Sequence, residues 1–282
     1  MEIKKIMVIG SGQMGGGITN VLAQAGYQVY MNDISKEYVD KGLMRITTLL
    51  EKEVKKGKKT TDDMFSILRN IIPSTDYKDA ENVDLVIEAA TENENIKMDI
   101  FRKISNIASS NVILATNTSS ISITKIANIT KFPQKFIGLH FFNPVEKMKL
   151  VEINIGLDTD QMTIDIMKSL CRKLNKEGIS VIDSPGFIVN RILIPMINEA
   201  IFILNEGISS VEEIDRSMKL GANHPMGPLE LADYIGLDTC LSILNVLYDG
   251  FKDSKYRPNP LLVKYVAAGR LGKKSGKGFY SY

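Results

Sequence analysis

Glu2-Ile-Lys-Lys-Ile-Met-Val-Ile-Gly-Ser-Gly-Gln-Met-Gly15 is the stretch that decides the fold. Residues 3–9 form a short apolar run rich in β-branched side chains that stops abruptly on glycine, the pattern of a strand buried on both faces of a parallel sheet. Residues 14–25 carry apolar side chains at helical spacing and end at Gly26, a suitable left-handed cap, before a second apolar run at 27–32. Strand, helix and strand in that order make a βαβ unit.

The turn inside this unit, Gly10-Ser-Gly12-Gln-Met-Gly15, matches G-x-G-x-x-G. Alone the pattern is weak. Here it follows a strand, opens a helix, and is followed by Asp33 at the end of the second strand, the arrangement a dinucleotide-binding fold requires. Gly10 serves the tight turn, Gly12 the close approach of a pyrophosphate to backbone, and Gly15 the packing of helix on strand, with phosphate charge resting on the helix N-terminus. Gly10, Gly12, Gln13, Met14, Gly15 and Asp33 are therefore the cofactor-binding candidates. A carboxylate at position 33 accepts hydrogen bonds from ribose hydroxyls and repels a 2′-phosphate, which favours NAD over NADP. The alternative is a structural glycine turn with no ligand.

Further strand-like runs at 85–88, 112–116 and 136–140, with helix-patterned segments between them, extend the unit into a doubly wound, Rossmann-like parallel sheet. Residues 36–70 are too long and too charged for one crossover helix and read as a protruding helix pair. Lys41, Arg45, Lys52, Lys55, Lys56, Lys58 and Lys59 against Glu51 and Glu53 leave +5 in nineteen positions. That charge fits a phosphorylated ligand or simply a solvated helix face. A strand at 149–153, a helix at 160–175 and a strand at 179–182 follow.

Beyond them the pattern is wholly helical. Ser184-Pro185 reads as N-cap and first helical position of a helix running through Asn190 and Asn198 to Gly207, kinked at Pro195. Ser210-Val-Glu-Glu213 is a capping box for a helix closed at Gly221, and helices are expected at 228–234, 238–248 and 259–268. The boundary falls near Ser184, giving an α/β domain over 1–184 and an all-helical C-terminal domain over 185–282.

Composition excludes several classes. A chain of 282 residues holds two modest domains without needing metal or disulfide staples. A net charge of +2 provides no field to hold a polyanion, so no nucleic-acid partner is expected. No apolar run approaches the roughly 18 residues a membrane span needs, and the first residues lead straight into the glycine turn, so a soluble, unprocessed, cytoplasmic protein is expected. Cys171 and Cys240 have no Cys or His at metal-ligand spacing and read as reduced core thiols; no metal site is expected.

A dehydrogenase needs a group that takes a hydroxyl proton as hydride leaves, and near neutral pH histidine is suited to it. His224 sits in a turn-like stretch between helices, where a buried or capping imidazole is the plainer role. His140 ends a strand on the carboxyl side of the sheet, where open α/β folds bind ligands. Residues 141–149 can form a turn that folds the next strand back so that Glu152 faces His140. A carboxylate there fixes the imidazole tautomer and stabilises its protonated form; the plain alternative for Glu152 is an ordinary edge-strand acid. Ser119 follows the 112–116 strand at the same end, and Asn190 can lend an amide donor to a substrate carbonyl.

These residues resemble the L-3-hydroxyacyl-CoA dehydrogenase family, and in particular its short-chain bacterial branch. The resemblance spans the chain and rests on six ordered motifs: Gly10-Ser-Gly-Gln-Met-Gly15, Ala115-Thr-Asn-Thr-Ser-Ser-Ile121, His140-Phe-Phe-Asn-Pro144, Pro185-Gly-Phe-Ile-Val-Asn-Arg191, Gly221-Ala-Asn-His-Pro-Met-Gly-Pro-Leu-Glu-Leu231 and Gly272-Lys-Lys-Ser-Gly-Lys-Gly-Phe-Tyr280. It implies reversible, NAD-linked interconversion of acetoacetyl-CoA and (S)-3-hydroxybutyryl-CoA, with His140 and Glu152 as acid/base dyad and Ser119 and Asn190 holding the substrate oxygen. It also implies that Glu92, Lys97, Asn143 and Lys274 touch the nicotinamide cofactor, that CoA contacts lie in the basic stretch 36–59, with Lys52, Lys55 and Lys56 as candidates, and that the helical domain forms a homodimer or higher homo-oligomer. Two rivals remain: a hydroxy-acid or sugar-acid dehydrogenase of the same architecture, and a non-catalytic NADH-binding protein of the lens-crystallin kind.

Overall fold

The computed structural model describes residues 2–282 and divides into two compact units, one ending at Asp183 and one beginning at Ser184. In the first, chain order is β1 (Lys5–Ile9), α1 (Gln13–Gln24), β2 (Gln28–Asn32), α2 (Lys36–Lys55), α3 (Thr61–Arg69), β3 (Ile71–Ser74), β4 (Leu85–Glu88), α4 (Glu94–Ile107), β5 (Ile113–Thr116), α5 (Ile123–Ala127), β6 (Phe136–Phe141), β7 (Leu150–Ile155), α6 (Gln161–Lys173) and β8 (Glu177–Ile182). The strands form one sheet in the order β3-β2-β1-β4-β5-β6-β7-β8, parallel at every junction except β6 with β7.

The central strands read as continuous apolar runs because both of their faces are covered. Ile6, Met7, Val8 and Ile9 of β1 and Leu85, Val86 and Ile87 of β4 are all buried. The main core packs Ile18 and Leu22 of α1, Leu50 of α2, and Met167 and Leu170 of α6 against one face of the sheet. Each helix of the pair α2 and α3 has a side-chain cap: Ser35 accepts from Tyr38 N, and Thr60 forms a reciprocal capping box with Asp63. Val39, Ile46 and Leu50 bury one face of α2, so its charges occupy the other.

The one antiparallel junction brings residues of β6 and β7 into opposition, with Gly138 facing Asn154 and His140 facing Glu152. The intervening turn is pinned by Lys176, whose Nζ donates to the carbonyls of Val145 at 2.6 Å and Met148 at 2.7 Å. Burial of this ammonium lowers its pKa.

The second unit contains α7 (Val189–Asn205), α8 (Val211–Gly221), α9 (Pro228–Ile235), α10 (Leu237–Phe251) and α11 (Pro260–Ala267) around a core that includes Ile197, Ile201, Leu229, Leu244 and Leu262. Buried Asp215 caps α9 by accepting from Leu229 N and Glu230 N. Buried Asp233 collects the C-terminal segment, accepting from Phe279 N, Tyr280 N and the Tyr282 hydroxyl.

Two local expectations are corrected and one strand is added. The opening helix of the second unit starts at Val189 and not at Pro185, because Gly186 (φ 71°) and Phe187 (φ 52°) are both left-handed and interrupt any helix there. A strand absent from the sequence reading, β3, pairs in parallel with β2. At α8, Ser210 accepts from Glu213 N as expected, but only that half of the capping box is formed.

Candidate active site

The glycine turn joins β1 to α1, and each glycine has a different reason to be there. Gly10 has φ +98°, and a Cβ on it would meet Ala89 O at 2.6 Å. A Cβ on Gly15 would meet Gly10 O at 1.8 Å, so only glycine lets α1 begin this close to the turn. Gly12 is the contrast: a Cβ there would meet nothing within 4 Å. It is the N-cap of α1 and supplies no side-chain cap, so the first turn of that helix presents its N–H groups outward. A bare backbone approach at a helix N-terminus, with the Asp33 carboxylate at the end of the next strand, fits a dinucleotide. Gln13 Nε2 donates to Asn143 Oδ1 at 3.1 Å, which brings two of the cofactor candidates together.

At the carboxyl end of β4 lies a charged cluster that crosses to α4. Lys97 of α4 is 1% exposed, and its Nζ lies 2.8 and 2.9 Å from the two oxygens of Glu88, itself fully buried. Glu88 also accepts from Thr116 Oγ1 at 2.7 Å and from Ala90 N at 2.7 Å. Lys97 then reaches Glu92 Oε2 at 3.4 Å. The other Glu92 oxygen accepts from Thr118 Oγ1 at 2.6 Å, Ser119 N at 2.9 Å, Ser119 Oγ at 3.2 Å and Ser120 Oγ at 3.0 Å. Burial works to raise the Glu92 carboxyl, but the Lys97 charge and these donors outweigh it, and its pKa lies below the ordinary value. Glu92, Lys97 and Ser119 are thus assembled into one network. Its anchor, Glu88, was missed by sequence reasoning; the only signal was an acid closing an otherwise apolar strand.

His140 and Glu152 face one another across β6 and β7, with Nδ1 2.7 Å from Glu152 Oε2 and both residues buried. An ionised carboxylate only accepts, so Nδ1 carries the proton and Nε2 is the nitrogen whose protonation can change. The Phe142 ring lies 4.4 Å from the imidazole, centroid to centroid. A buried imidazole locked in one tautomer can exchange a proton with a ligand oxygen.

Lys52 lines a groove of about 620 Å³ together with Lys41 and Arg45 of α2, Gly12 and Gln13 of the turn, and Glu146. Lys55 and Lys56 lie one turn further on, outside that lining. In the second unit, Asn190 occupies the first turn of α7 and is 9% exposed. Lys274 pairs with Asp238 at 2.6 Å. His224 follows α8 in a loop, its backbone N donating to Met218 O at 3.3 Å. No helix among the described residues is long and apolar enough to cross a membrane.

Comparison with known proteins identifies the family. Residues 5–184 match the NAD-binding domain of 3-hydroxyacyl-CoA dehydrogenase, and residues 186–282 match its C-terminal domain. The chain is 53% identical over 283 residues to a probable 3-hydroxybutyryl-CoA dehydrogenase of Bacillus subtilis, covering 100% of this chain and 98% of that protein. It is 42% identical to the mitochondrial hydroxyacyl-coenzyme A dehydrogenase of Rattus norvegicus, covering 99% and 91% respectively. The crystal structure of (S)-3-hydroxybutyryl-CoA dehydrogenase from Ralstonia eutropha superposes with a TM-score of 0.97 at 51% identity, covering 100% of this chain and 99% of that one. With an NAD-binding fold and full-length matches in both halves, the chain is an NAD-dependent oxidoreductase and belongs to the 3-hydroxyacyl-CoA dehydrogenase family.

Proposed function

We propose that the protein interconverts (S)-3-hydroxybutyryl-CoA and acetoacetyl-CoA, with His140 as the acid/base and Glu152 as the residue that orients it. The observation that carries the reading is the buried 2.7 Å contact between His140 Nδ1 and Glu152 Oε2, near the carboxyl end of β6 in the sheet whose first strand leads into the glycine turn. The names of the relatives support the substrate.

NAD, when bound, supplies the hydride acceptor or donor. The residues of the chain manage the proton and the oxygen. In the oxidative direction His140 Nε2 removes the hydroxyl proton, and the Glu152 carboxylate stabilises the imidazolium that results. In reduction the same nitrogen returns the proton to the developing alkoxide. Ser119, held by Glu92, and Asn190 are assigned to hold that oxygen, so charge stabilisation and proton transfer act on one atom. Glu92, Asn143 and Lys274 are assigned to contact with the nicotinamide cofactor, and Lys97, whose ammonium is buried against Glu88, to the same site through its 3.4 Å approach to Glu92. Lys52, Lys55 and Lys56 are assigned to the CoA moiety; Lys52 lines the groove with Arg45 and Lys41 that also reaches Gly12 and Gln13 of the glycine turn. The helical unit is assigned to self-association as a homodimer or higher oligomer, and the protein to the cytoplasm.

The test is loss of NADH absorbance with acetoacetyl-CoA, for wild type and His140→Ala. Turnover by the wild type and a fall of at least roughly 100-fold in the variant are expected. Equal rates would remove His140 from the mechanism. NADH binding with no turnover in the wild type would favour a non-catalytic protein, and turnover of a free hydroxy acid in place of the thioester would move the substrate class. Light scattering of the purified protein checks self-association, for which a monomer is the overturning result.

A further inference from the structure

Ser11 lies between the first two glycines of the turn and is 1% exposed. Its backbone N donates to Asp33 Oδ2 at 2.7 Å, and its Oγ lies 2.8 Å from the same oxygen. The Ser11 Oγ is also 2.7 Å from the carbonyl of Tyr38, in the first turn of α2. A hydroxyl carries one proton, so it serves one of these acceptors at a time, and the ionised carboxylate makes the stronger bond. The second Asp33 oxygen accepts from Ile34 N at 2.8 Å. The carboxylate is therefore held at both ends, by donors of which two come from a single residue.

The surroundings allow Ser11 no other place. A Cβ on Gly42 would meet Ser11 O at 2.7 Å and Ser11 Cβ at 2.8 Å, so α2 is pressed directly on the turn. The Arg45 guanidinium, one helical turn further along the same face, reaches Ser11 O at 3.5 Å. A carboxylate that can rotate can make room for a bulkier, charged group; one locked by three donors cannot. The hydroxyl thereby converts a preference into a fixed barrier, because a 2′-phosphate meets a charge that has no alternative position.

We propose that Ser11 is a positioning residue that sets dinucleotide selectivity, its hydroxyl locking the Asp33 carboxylate against the 2′-position of the adenosine ribose. The proposal rests on the reading of Asp33 as the ribose-facing acid. It is tested by titrating NADH and NADPH fluorescence with wild type, Ser11→Ala, Asp33→Asn and the double variant, reading the ratio of the two dissociation constants. For Ser11→Ala the ratio of NADPH to NADH dissociation constants is expected to fall about tenfold, the scale of one lost charge-assisted hydrogen bond. In the Asp33→Asn background, Ser11→Ala is expected to change the ratio by less than about twofold, since its effect passes through the carboxylate.

A merely structural role would weaken both dinucleotides alike and leave the ratio where it was, and that result overturns the proposal. An undiminished effect of Ser11→Ala in the Asp33→Asn background overturns it as well. If Asp33→Asn itself leaves the ratio unchanged, the reading of Asp33 fails and the proposal with it; a lowered ratio in Asp33→Asn but not in Ser11→Ala removes the proposal alone. Ser11→Cys, which keeps a side chain at this packed position but donates only weakly, is expected to shift the ratio in the same direction and serves as the deciding variant should Ser11→Ala not fold.

Discussion

Lys97 Nζ forms a two-pronged ion pair with Glu88, 2.8 and 2.9 Å from its carboxylate oxygens, in a place where neither side chain meets solvent. Removing one partner of such a pair strands the other charge in a low-dielectric interior. Glu88→Gln is expected to cost about 3–5 kcal/mol of stability. Glu88→Leu combined with Lys97→Met should recover most of that stability while losing the support of Glu92. Thermal denaturation of the single and double variants checks this; a single variant as stable as wild type would show that the pair is not desolvated as described.

Glu152→Gln keeps the shape of the side chain and removes its charge. Its carbonyl can still accept from His140 Nδ1, so binding of NADH should change little, while kcat falls roughly 100- to 10,000-fold because the imidazolium loses its counter-charge. Steady-state kinetics beside a dinucleotide titration separate the two effects. A matched fall in NADH affinity would mean that Glu152 holds the fold of the site and not the charge on the ring.

Asn154 is fully buried on β7, two positions beyond Glu152, and neither its Oδ1 nor its Nδ2 has a hydrogen-bond partner among the described residues. Leaving an amide buried in this way costs about 1–3 kcal/mol. Asn154→Leu, close in shape and wholly apolar, is expected to raise Tm by a few degrees. A lower Tm would show that the amide is satisfied in solution.

Asp233 is buried beneath the C-terminal segment, and that burial raises its carboxyl above the ordinary value of 3.8, against the lowering effect of Tyr280 N and Phe279 N. A carboxyl that holds its proton more tightly folded than unfolded contributes stability that is fully present below the ordinary value and is lost as pH rises through the raised one. The stability of wild type relative to Asp233→Asn should therefore decline as pH climbs across that interval. Denaturation curves at a series of pH values check the sign, and a difference that grows with pH contradicts it.

Burial pushes the Cys171 and Cys240 thiols up to about 12. Neither is then a thiolate near neutral pH. A chromogenic disulfide reagent should release no colour from the native protein and two equivalents after denaturation, since the chain has two cysteines. Rapid reaction of either in the native state would show that it is accessible.

The parts of this architecture that were legible beforehand are those in which local pattern and long-range packing agree. The strand ending on Gly10 and the facing of residues 140 and 152 follow from apolar periodicity and the length of one turn, and the structure pairs them in that register. β3 escaped notice because it is four residues long and includes Pro73, which lacks an N–H and lowers any strand signal. The false helix start at Ser184-Pro185 had the right capping chemistry, but the backbone of Gly186 and Phe187 is set by packing that a local motif does not report. Glu88 was invisible for a related reason. An acid at the end of an apolar run looks solvent-facing until Lys97, nine residues on, is folded back over it.

The strand order has a consequence for how the molecule is made. β4 returns to pair with β1, and from β5 onward each strand docks on the one synthesised just before it, so a chain emerging from the ribosome can extend that edge of the sheet without waiting for a distant partner. The imidazole of His140 acquires its carboxylate only when the seventh strand lands, so a nascent chain stalled in the turn before it would hold the glycine turn and the first six strands without the contact between His140 and Glu152.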